Sequence, residues 1–193
     1  MWYEPLGSSG YGLQPPSGIT PCTAADVLPR RPGHLRDFNY LGPLRYFLTF
    51  ATDHRRAHFD DELAVSLVLS QFLRAAKDTG FELPAFCFMP DHVHLVIVGT
   101  SDTSDLLTFI RRAKQFSGYY FSKQFGQRLW QRDGYEHVLR DNEATGAVIK
   151  YVVANPMRAG LVRRLEDYPH FGSTLYSREA LIDFLQFPGS WEP

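Results

Sequence analysis

Apolar and polar residues follow one another along the chain in patterns that predict a mixed fold. Short runs of alternating or continuous apolar residues are typical of strands, and apolar positions at helical spacing are typical of helices. By these criteria the predicted elements are, in order, strand 44–51, helix 60–77, strands 83–89 and 92–98, helix 104–125, strand 134–140 and helix 142–155. This order predicts an α+β fold, a ferredoxin-like sandwich with one antiparallel sheet and helices packed on one face.

Composition divides the chain into three parts. Residues 1–38 hold five glycines and six prolines without sustained periodicity, which is typical of a flexible extension. Residues 39–175 contain the predicted elements and form the predicted domain. Residues 176–193 are expected to be a C-terminal tail, in which residues 178–187 predict a short helix. A chain of 193 residues that is 44% hydrophobic is long enough to bury one core.

The sequence also limits where the protein is expected to work. No apolar run approaches the length of a membrane span, and the N-terminus lacks the pattern of a secretory signal. The two cysteines, Cys22 and Cys87, fall in the extension and in a predicted core strand, so they are poor disulfide partners. We therefore expect a cytoplasmic protein without a membrane segment.

Two histidines one residue apart, His92 and His94, begin the second strand of the predicted hairpin. Because strand side chains alternate between faces, both would point the same way, about 7 Å apart by the strand rise. Pro90 and Asp91 predict a turn just before them, where solvent can reach the pair. Two interpretations stay open from these residues alone. The pair is either half of a metal site or the partly exposed start of a strand.

A second motif lies at the end of the predicted helix 142–155. Tyr151 and Asn155 are four residues apart, so a helix places both on one face. Pro156 predicts that the helix ends near Asn155, because the residue before a proline resists helical geometry. A phenol and a carboxamide would then meet at the C-terminal end of a short helix. The alternative is a core tyrosine followed by an ordinary Asn-Pro helix stop.

Together the two motifs resemble the single-tyrosine HUH transposases of the IS200-like type, and in particular their REP-associated tyrosine transposase branch. The stretches that carry the resemblance are 89–96, 129–132, 135–140 and 151–162. By this resemblance Tyr151 corresponds to the nucleophile, His92 and His94 to metal ligands, and Asn155 to the third ligand. Many related transposases carry a glutamine at that third position.

The resemblance implies a metal-dependent endonuclease and strand transferase that acts on single-stranded DNA through a covalent 5′-phosphotyrosine intermediate. It implies hairpin-containing repeat DNA as the target, Mg²⁺ or Mn²⁺ as the cofactor, and a monomer or homodimer as the working unit. Two imidazoles and an amide would also suit zinc, although a zinc hydrolase usually shows a third histidine or a carboxylate. The alternatives are a nucleic-acid-binding protein of the same fold without strand transfer, and a metal hydrolase of different chemistry.

Charge is distributed unevenly, although the formal net charge is only −1. Residues 111–140 hold seven basic and two acidic residues, and aromatic residues are interleaved with them. Cations and rings together are typical of single-stranded nucleic-acid binding. Helical spacing of Phe109, Phe116 and Tyr120 instead favours a core role for the rings. The residues predicted to contact DNA are Arg111, Arg112, Lys114, Lys123, Arg128, Arg132, His137, Arg140 and Arg158, of which Arg158 could equally cap a helix end.

Overall fold

The computed structural model describes residues 39–132, 135–139 and 145–186, without the side chains of residues 135–137. The predicted extension over residues 1–38 therefore lies outside the described residues. So do Arg140 and the side chain of His137, two of the predicted DNA contacts.

A five-stranded antiparallel sheet lies at the centre of the fold, with the strand order β4-β1-β3-β2-β5. The strands are β1 (Arg45–Ala51), β2 (Phe81–Met89), β3 (His92–Gly99), β4 (Tyr135–Leu139) and β5 (Phe171–Gly172). Strand β3 pairs with β1 on one side and with β2 on the other. The two histidines therefore lie on a central strand.

The helices are α1 (Glu62–Thr79), α2 (Leu106–Phe125), α3 (Thr145–Val153), α4 (Asn155–Arg158) and α5 (Arg178–Gln186). Gly80 ends α1 in the left-handed conformation, with φ of 70°, as the sequence predicts. Strands and helices follow the predicted order through α3, so the α+β class is confirmed. Among the described residues, none of the helices combines the length and apolar character that crossing a bilayer requires.

One face of the sheet is covered by α1 and α2. Alternate residues of the central strands point into this layer and are fully or almost fully buried. These strand residues include Tyr46, Leu48, Phe50, Val93, Leu95 and Ile97. The helices contribute the buried residues Phe72 and Phe109. Trp130 completes the layer by stacking on Phe72, with ring centroids 5.9 Å apart. Each large apolar side chain buried here contributes about 1.5–3 kcal/mol to stability.

The opposite face, which carries His94, is covered by α3 and α5. A second apolar cluster joins Phe47, Cys87 and Val96 of the sheet to Ile149 of α3 and Leu181 of α5. The predicted single helical layer holds for the two long helices, and α3 and α5 add a second layer. The reason is that the central strands are apolar on both faces, so each face requires cover.

The helix that carries Tyr151 ends near Asn155, as predicted, but a second short helix follows at once. Helix α3 stops at Val153, and the short helix α4 begins at Asn155 with the proline in its first turn. Proline is tolerated there because the first amides of a helix have no intrahelical partner. The chain therefore turns between two helices beside Tyr151, and Asn155 lies at the junction.

We predict that Gly99→Ala destabilises the protein by about 1–3 kcal/mol, because the added methyl group overpacks a buried site. A Cβ at Gly99 would clash with the carbonyl oxygen of Gly42 and lie 3.0 Å from Cβ of Ser104. Urea denaturation followed by circular dichroism measures the change. Gly118→Ala is the matched control, because its nearest neighbour would be 3.6 Å away. Equal stability of the two variants would contradict the packing described here.

Candidate functional site

The two histidines of β3 converge instead of standing side by side. Their side chains point to the same face as predicted, and Nε2 of His92 lies 3.0 Å from Nε2 of His94. The ring centroids are 4.6 Å apart, and the ring planes are nearly perpendicular at 87°. The two Nε2 atoms are therefore within hydrogen-bonding distance of each other, and one donates a proton to the other.

Each imidazole also has a hydrogen-bonding partner at its second ring nitrogen, Nδ1. Nδ1 of His92 lies 2.6 Å from Oδ1 of Asp91, and Nδ1 of His94 lies 2.8 Å from Oγ1 of Thr49. Because an ionised carboxylate only accepts, His92 donates from Nδ1 and keeps the lone pair on Nε2. A carboxylate or hydroxyl behind the imidazole is the arrangement that orients histidine ligands of metals.

Both histidines are neutral at pH 7. Burial is the main cause that lowers the pKa of His92, and burial followed by repulsion from His92 lowers the pKa of His94 to about 3. Phe47 contributes to this burial, since its ring stacks on His94 with centroids 5.5 Å apart. Two neutral imidazoles can direct lone pairs at a shared cation without first losing a proton.

The donor set fits a divalent cation. The two Nε2 atoms lie 3.0 Å apart, so with the shared proton displaced both could bind one cation. Within the described ranges, no cluster of three His, Cys, Asp or Glu side chains could hold a metal ion. Among the described residues, the amide oxygen of Asn155 is a candidate for a further ligand, and water or substrate oxygens could complete the set.

Tyr151 reaches the histidine pair from α3. Its ring centroid lies 6.1 Å from that of His94, and its edge meets Phe47 at 5.9 Å. Neighbouring residues of α3 explain this position, because Val152 and Val153 are buried against the sheet. The structure thus brings together the phenol and the imidazole pair from two distant parts of the chain.

Arg158 lies over Tyr151. Its guanidinium carbon is 4.5 Å from the centre of the tyrosine ring, a cation–π contact between α4 and α3. The sequence left open whether Arg158 binds phosphate or caps a helix. The exposed guanidinium faces the tyrosine ring and adds a positive charge beside the phenol, and its contact with phosphate stays a prediction.

Asn155 has a structural role that the spacing alone did not reveal. Its Nδ2 donates to the carbonyl oxygens of Tyr151 at 2.8 Å and Val152 at 3.3 Å. These carbonyls end α3 and need partners. The bonds fix the side-chain plane, so Oδ1 is the atom of Asn155 that could serve as a ligand. Its role as third ligand stays a prediction.

Three of the predicted DNA contacts line one open groove of about 560 Å³ between α2 and residues 126–132. They are Lys114, Arg128 and Arg132. Lys114 donates to the carbonyl oxygen of Gln131 at 2.9 Å, and Arg128 donates to that of Trp130 at 3.0 Å. The exposed ring of Tyr119 also lines the groove. Cations and an accessible ring therefore share this surface, which we call the basic groove.

Backbone hydrogen bonds link one wall of the basic groove to the end of β1 that pairs with His92. The amide of Gln131 donates to the carbonyl oxygen of Ala51 at 3.0 Å, and the amide of Asp53 donates to that of Leu129 at 2.7 Å. Ala51 is the residue of β1 that pairs with His92. One wall of the groove is thus tied to the end of the sheet where the histidines begin.

The other predicted contacts are more scattered. Arg111 and Lys123 are exposed on α2 outside the groove lining, and Arg112 forms an ion pair with Asp78 at 3.5 Å. Burial of Phe109 confirms its predicted core role. The core role predicted for Tyr120 from the same spacing is wrong. Tyr120 is 39% exposed, because the buried residues of α2 lie on another side of the helix.

Sequence analysis missed three residues of the site, Thr49, Asp91 and Arg55. Nε of Arg55 lies 2.8 Å from Oδ2 of Asp91, whose other oxygen contacts His92. Asp91 was interpreted only as part of a turn. The polar Thr49 within the apolar run 46–51 was the available signal, but its partner follows only from the strand register.

Comparison with known proteins places the chain among transposases. Residues 42–155 match the family model described as "Transposase IS200 like". A putative REP-associated tyrosine transposase of Haemophilus influenzae is 27% identical over 150 residues, which cover 70% of this chain and 81% of the relative. A REP-associated tyrosine transposase of Escherichia coli is 24% identical over 98 residues, which cover 50% of this chain and 57% of the relative.

A solved structure of a REP-associated tyrosine transposase bound to a REP hairpin is similar in fold. The TM-score is 0.62 at 22% sequence identity, with 81% of this chain and 89% of that chain covered. At this identity the likeness shows the fold, and it agrees with the α+β architecture described above.

We predict that Thr49→Val weakens Mn²⁺ binding about tenfold or more, because His94 loses the partner that orients its ring. Isothermal titration calorimetry with Mn²⁺ measures the effect. Thr79→Val is the matched control, since its hydroxyl donates to the carbonyl oxygen of Ala75 within α1. Unchanged Mn²⁺ affinity in Thr49→Val would argue against His94 as a ligand.

Proposed function

Because the chain belongs to the family of IS200-like transposases, we propose that it cuts one DNA strand and joins it to another through a covalent bond to Tyr151. The observation that carries this proposal is the position of the Tyr151 ring, 6.1 Å from His94. The name tyrosine transposase, which both curated relatives bear, agrees with a tyrosine nucleophile.

The proposed reaction is a transesterification. The hydroxyl oxygen of Tyr151 attacks the phosphorus, the bond from phosphorus to the 3′ oxygen breaks, and the 3′ oxygen leaves as a hydroxyl. The proton that the phenol loses balances the one that the leaving oxygen gains. Because a phosphodiester is exchanged for another ester, a second 3′ hydroxyl can reverse the attack and rejoin the strand without ATP. This property suits strand transfer better than degradation.

The residues around Tyr151 support this role by position and charge. The phosphate that must approach the phenol is anionic, and Arg158 places a guanidinium 4.5 Å from the ring centre, where it can attract that phosphate. Phe47 and His94 confine the ring from the sheet side. A confined ring meets the phosphorus in fewer orientations, which favours in-line attack.

The histidine pair is proposed to hold Mg²⁺ or Mn²⁺. Nε2 of His92, Nε2 of His94 and Oδ1 of Asn155 would be the protein ligands, and the ion would polarise the scissile phosphate. Asp91 and Thr49 keep both imidazoles in the orientation that this requires.

The proposed substrate is single-stranded DNA that contains a hairpin. The similar solved transposase is in complex with a REP hairpin. In this chain the basic groove offers cations for the phosphates and the ring of Tyr119 for an unpaired base. Because one chain supplies both Tyr151 and the histidine pair, a monomer is sufficient as the catalytic unit.

We predict that the wild-type protein forms a covalent adduct with hairpin-containing single-stranded DNA in Mn²⁺, and that Tyr151→Phe forms none. Phenylalanine keeps the ring against Phe47 and beneath Arg158 but removes the attacking oxygen. Labelled DNA that migrates with the protein on a denaturing gel measures the adduct.

Tyr176→Phe is the matched control for this experiment, because Tyr176 packs on the same side of the sheet and lines a cleft between α3 and α5. It should form the adduct at the wild-type rate. An equal yield from Tyr151→Phe would remove Tyr151 from its proposed role. DNA binding without an adduct from the wild type would favour the alternative of a binding protein without strand transfer.

We predict that DNA affinity falls steeply with ionic strength and that Arg132→Ala makes this dependence shallower. Each phosphate contact on single strands contributes about 0.7 to the slope of log K against log salt concentration. Fluorescence anisotropy of labelled DNA over a range of salt concentrations measures the slope. Lys77→Ala on α1, outside the groove lining, should leave the slope unchanged. A salt-independent affinity of the wild type would contradict DNA binding by the basic groove.

A further inference from the structure

The loop between β1 and α1 places the cation of Arg55 close to the histidine pair. Nε of Arg55 lies 2.8 Å from Oδ2 of Asp91, and Oδ1 of the same carboxylate lies 2.6 Å from Nδ1 of His92. Only one carboxylate therefore separates the guanidinium from a histidine of the site. The strand-cleaving reaction proposed above does not use this arginine.

The backbone that presents Arg55 is in an unfavourable conformation. His54 and Arg55 are consecutive residues with φ of 54° and 55°, in the left-handed region that residues with a Cβ rarely adopt. Such a conformation persists only where the surroundings hold it, and it occurs most often at functional sites. A simple connection between a strand and a helix would not require it.

The surroundings that hold this loop belong to the site itself. The buried hydroxyl of Thr52 bonds to the carbonyl oxygens of Arg56 at 2.7 Å and Asp91 at 2.9 Å. The amide of Thr52 also donates to the carbonyl oxygen of Asp91, at 2.9 Å. On its other side the loop is tied to the basic groove, where Arg128 approaches Asp53 at 3.6 Å. The strained residues thus lie between the groove and the histidines.

The guanidinium of Arg55 keeps donors for a further anion. Its side chain is 52% exposed, and within the part of the chain that the structure describes its only ion-pair partner is Asp91. The ion pair with Asp91 is made through Nε, so both terminal nitrogens can meet another acceptor. A planar guanidinium can hold a carboxylate on one edge and a phosphate on another, which a lysine ammonium cannot do with the same geometry.

We propose that Arg55 binds a phosphate of the DNA strand next to the cleaved bond and, through Asp91, couples that contact to the orientation of His92. The inference rests on the proposed function, since it requires a DNA strand that passes from the basic groove to the histidine pair. A bound phosphate would fix Arg55, Arg55 would fix the carboxylate of Asp91, and Asp91 would fix the ring of His92. Binding of the DNA strand in the correct position thereby fixes the orientation of His92.

The experiment compares Arg55→Gln, Arg55→Lys and the control Arg56→Gln with the wild type. Arg56 is the adjacent cation, and its contact is a 3.3 Å hydrogen bond to the exposed Gln127. Three quantities are measured with hairpin-containing single-stranded DNA and Mn²⁺: the Kd, the slope of log K against log salt concentration, and the adduct rate at saturating DNA. Thermal melting followed by circular dichroism shows that each variant is folded.

Arg55→Gln should raise the Kd about tenfold or more, as expected for the loss of a charged hydrogen bond, and should make the salt slope shallower by about 0.7. Its adduct rate at saturating DNA should also fall, because Asp91 loses its partner. Arg55→Lys should restore most of the salt slope but not the adduct rate. Arg56→Gln should change the Kd by less than about twofold, since its guanidinium has no link to the histidines.

An unchanged Kd and salt slope in Arg55→Gln would overturn the proposal, even if the adduct rate fell. That result would mean that Arg55 only supports Asp91. Full recovery of the adduct rate by Arg55→Lys would overturn the coupling through Asp91. Absence of an adduct from the wild type would count against the proposed function instead, and the Kd and salt slope would still decide whether Arg55 meets a phosphate.

Discussion

The packing of α3 on the face of the sheet that carries His94 is the constraint on which the candidate site depends. Ile149, Val152 and Val153 are buried there against sheet residues such as Phe47. Each of these aliphatic side chains contributes about 1.5–3 kcal/mol on burial, so the helix has little freedom to rotate or slide. Tyr151 lies on the same helix between the buried Ile149 and Val152 and is therefore held beside the histidines.

The sheet supplies the other half of the site through its register. Thr49 of β1 lies opposite His94 in the ladder, so a hydroxyl is placed behind the imidazole by the same pairing that builds the sheet. The turn before β3 supplies Asp91 behind His92. Burial then keeps both rings neutral, because charging an imidazole in an apolar layer is unfavourable. The chemistry of the pair is thus a consequence of where the strands meet.

Local sequence patterns were sufficient for much of the fold. Alternation placed His92 and His94 on one face, and helical spacing found the long helices α1 and α2. The pattern did not reveal the second helical layer, because apolar residues on both faces of a strand do not say which helix covers which face. The burial of single positions on α2 was also ambiguous, and Tyr120 was misplaced for that reason.

The partners within the site lay beyond what local patterns can predict. Thr49 and His94 are 45 residues apart, and their contact depends on the strand register. The left-handed conformations of His54 and Arg55 carry no sequence signal, because neither residue is a glycine. The resemblance to a known family named the tyrosine and the histidines, whereas the structure added the residues that orient them and the bonds that tie Asn155 to the end of α3.

Fluorine NMR of protein labelled with 3-fluorotyrosine tests most directly whether the phenol meets a cation held by the histidines. Mn²⁺ broadens the signals of nuclei close to it, and a Tyr151→Phe variant identifies the Tyr151 signal. We expect this signal to broaden at the lowest Mn²⁺ concentrations, while that of the exposed Tyr119 stays sharp. A Tyr151 signal that stays sharp after calorimetry shows Mn²⁺ to be bound would contradict the account.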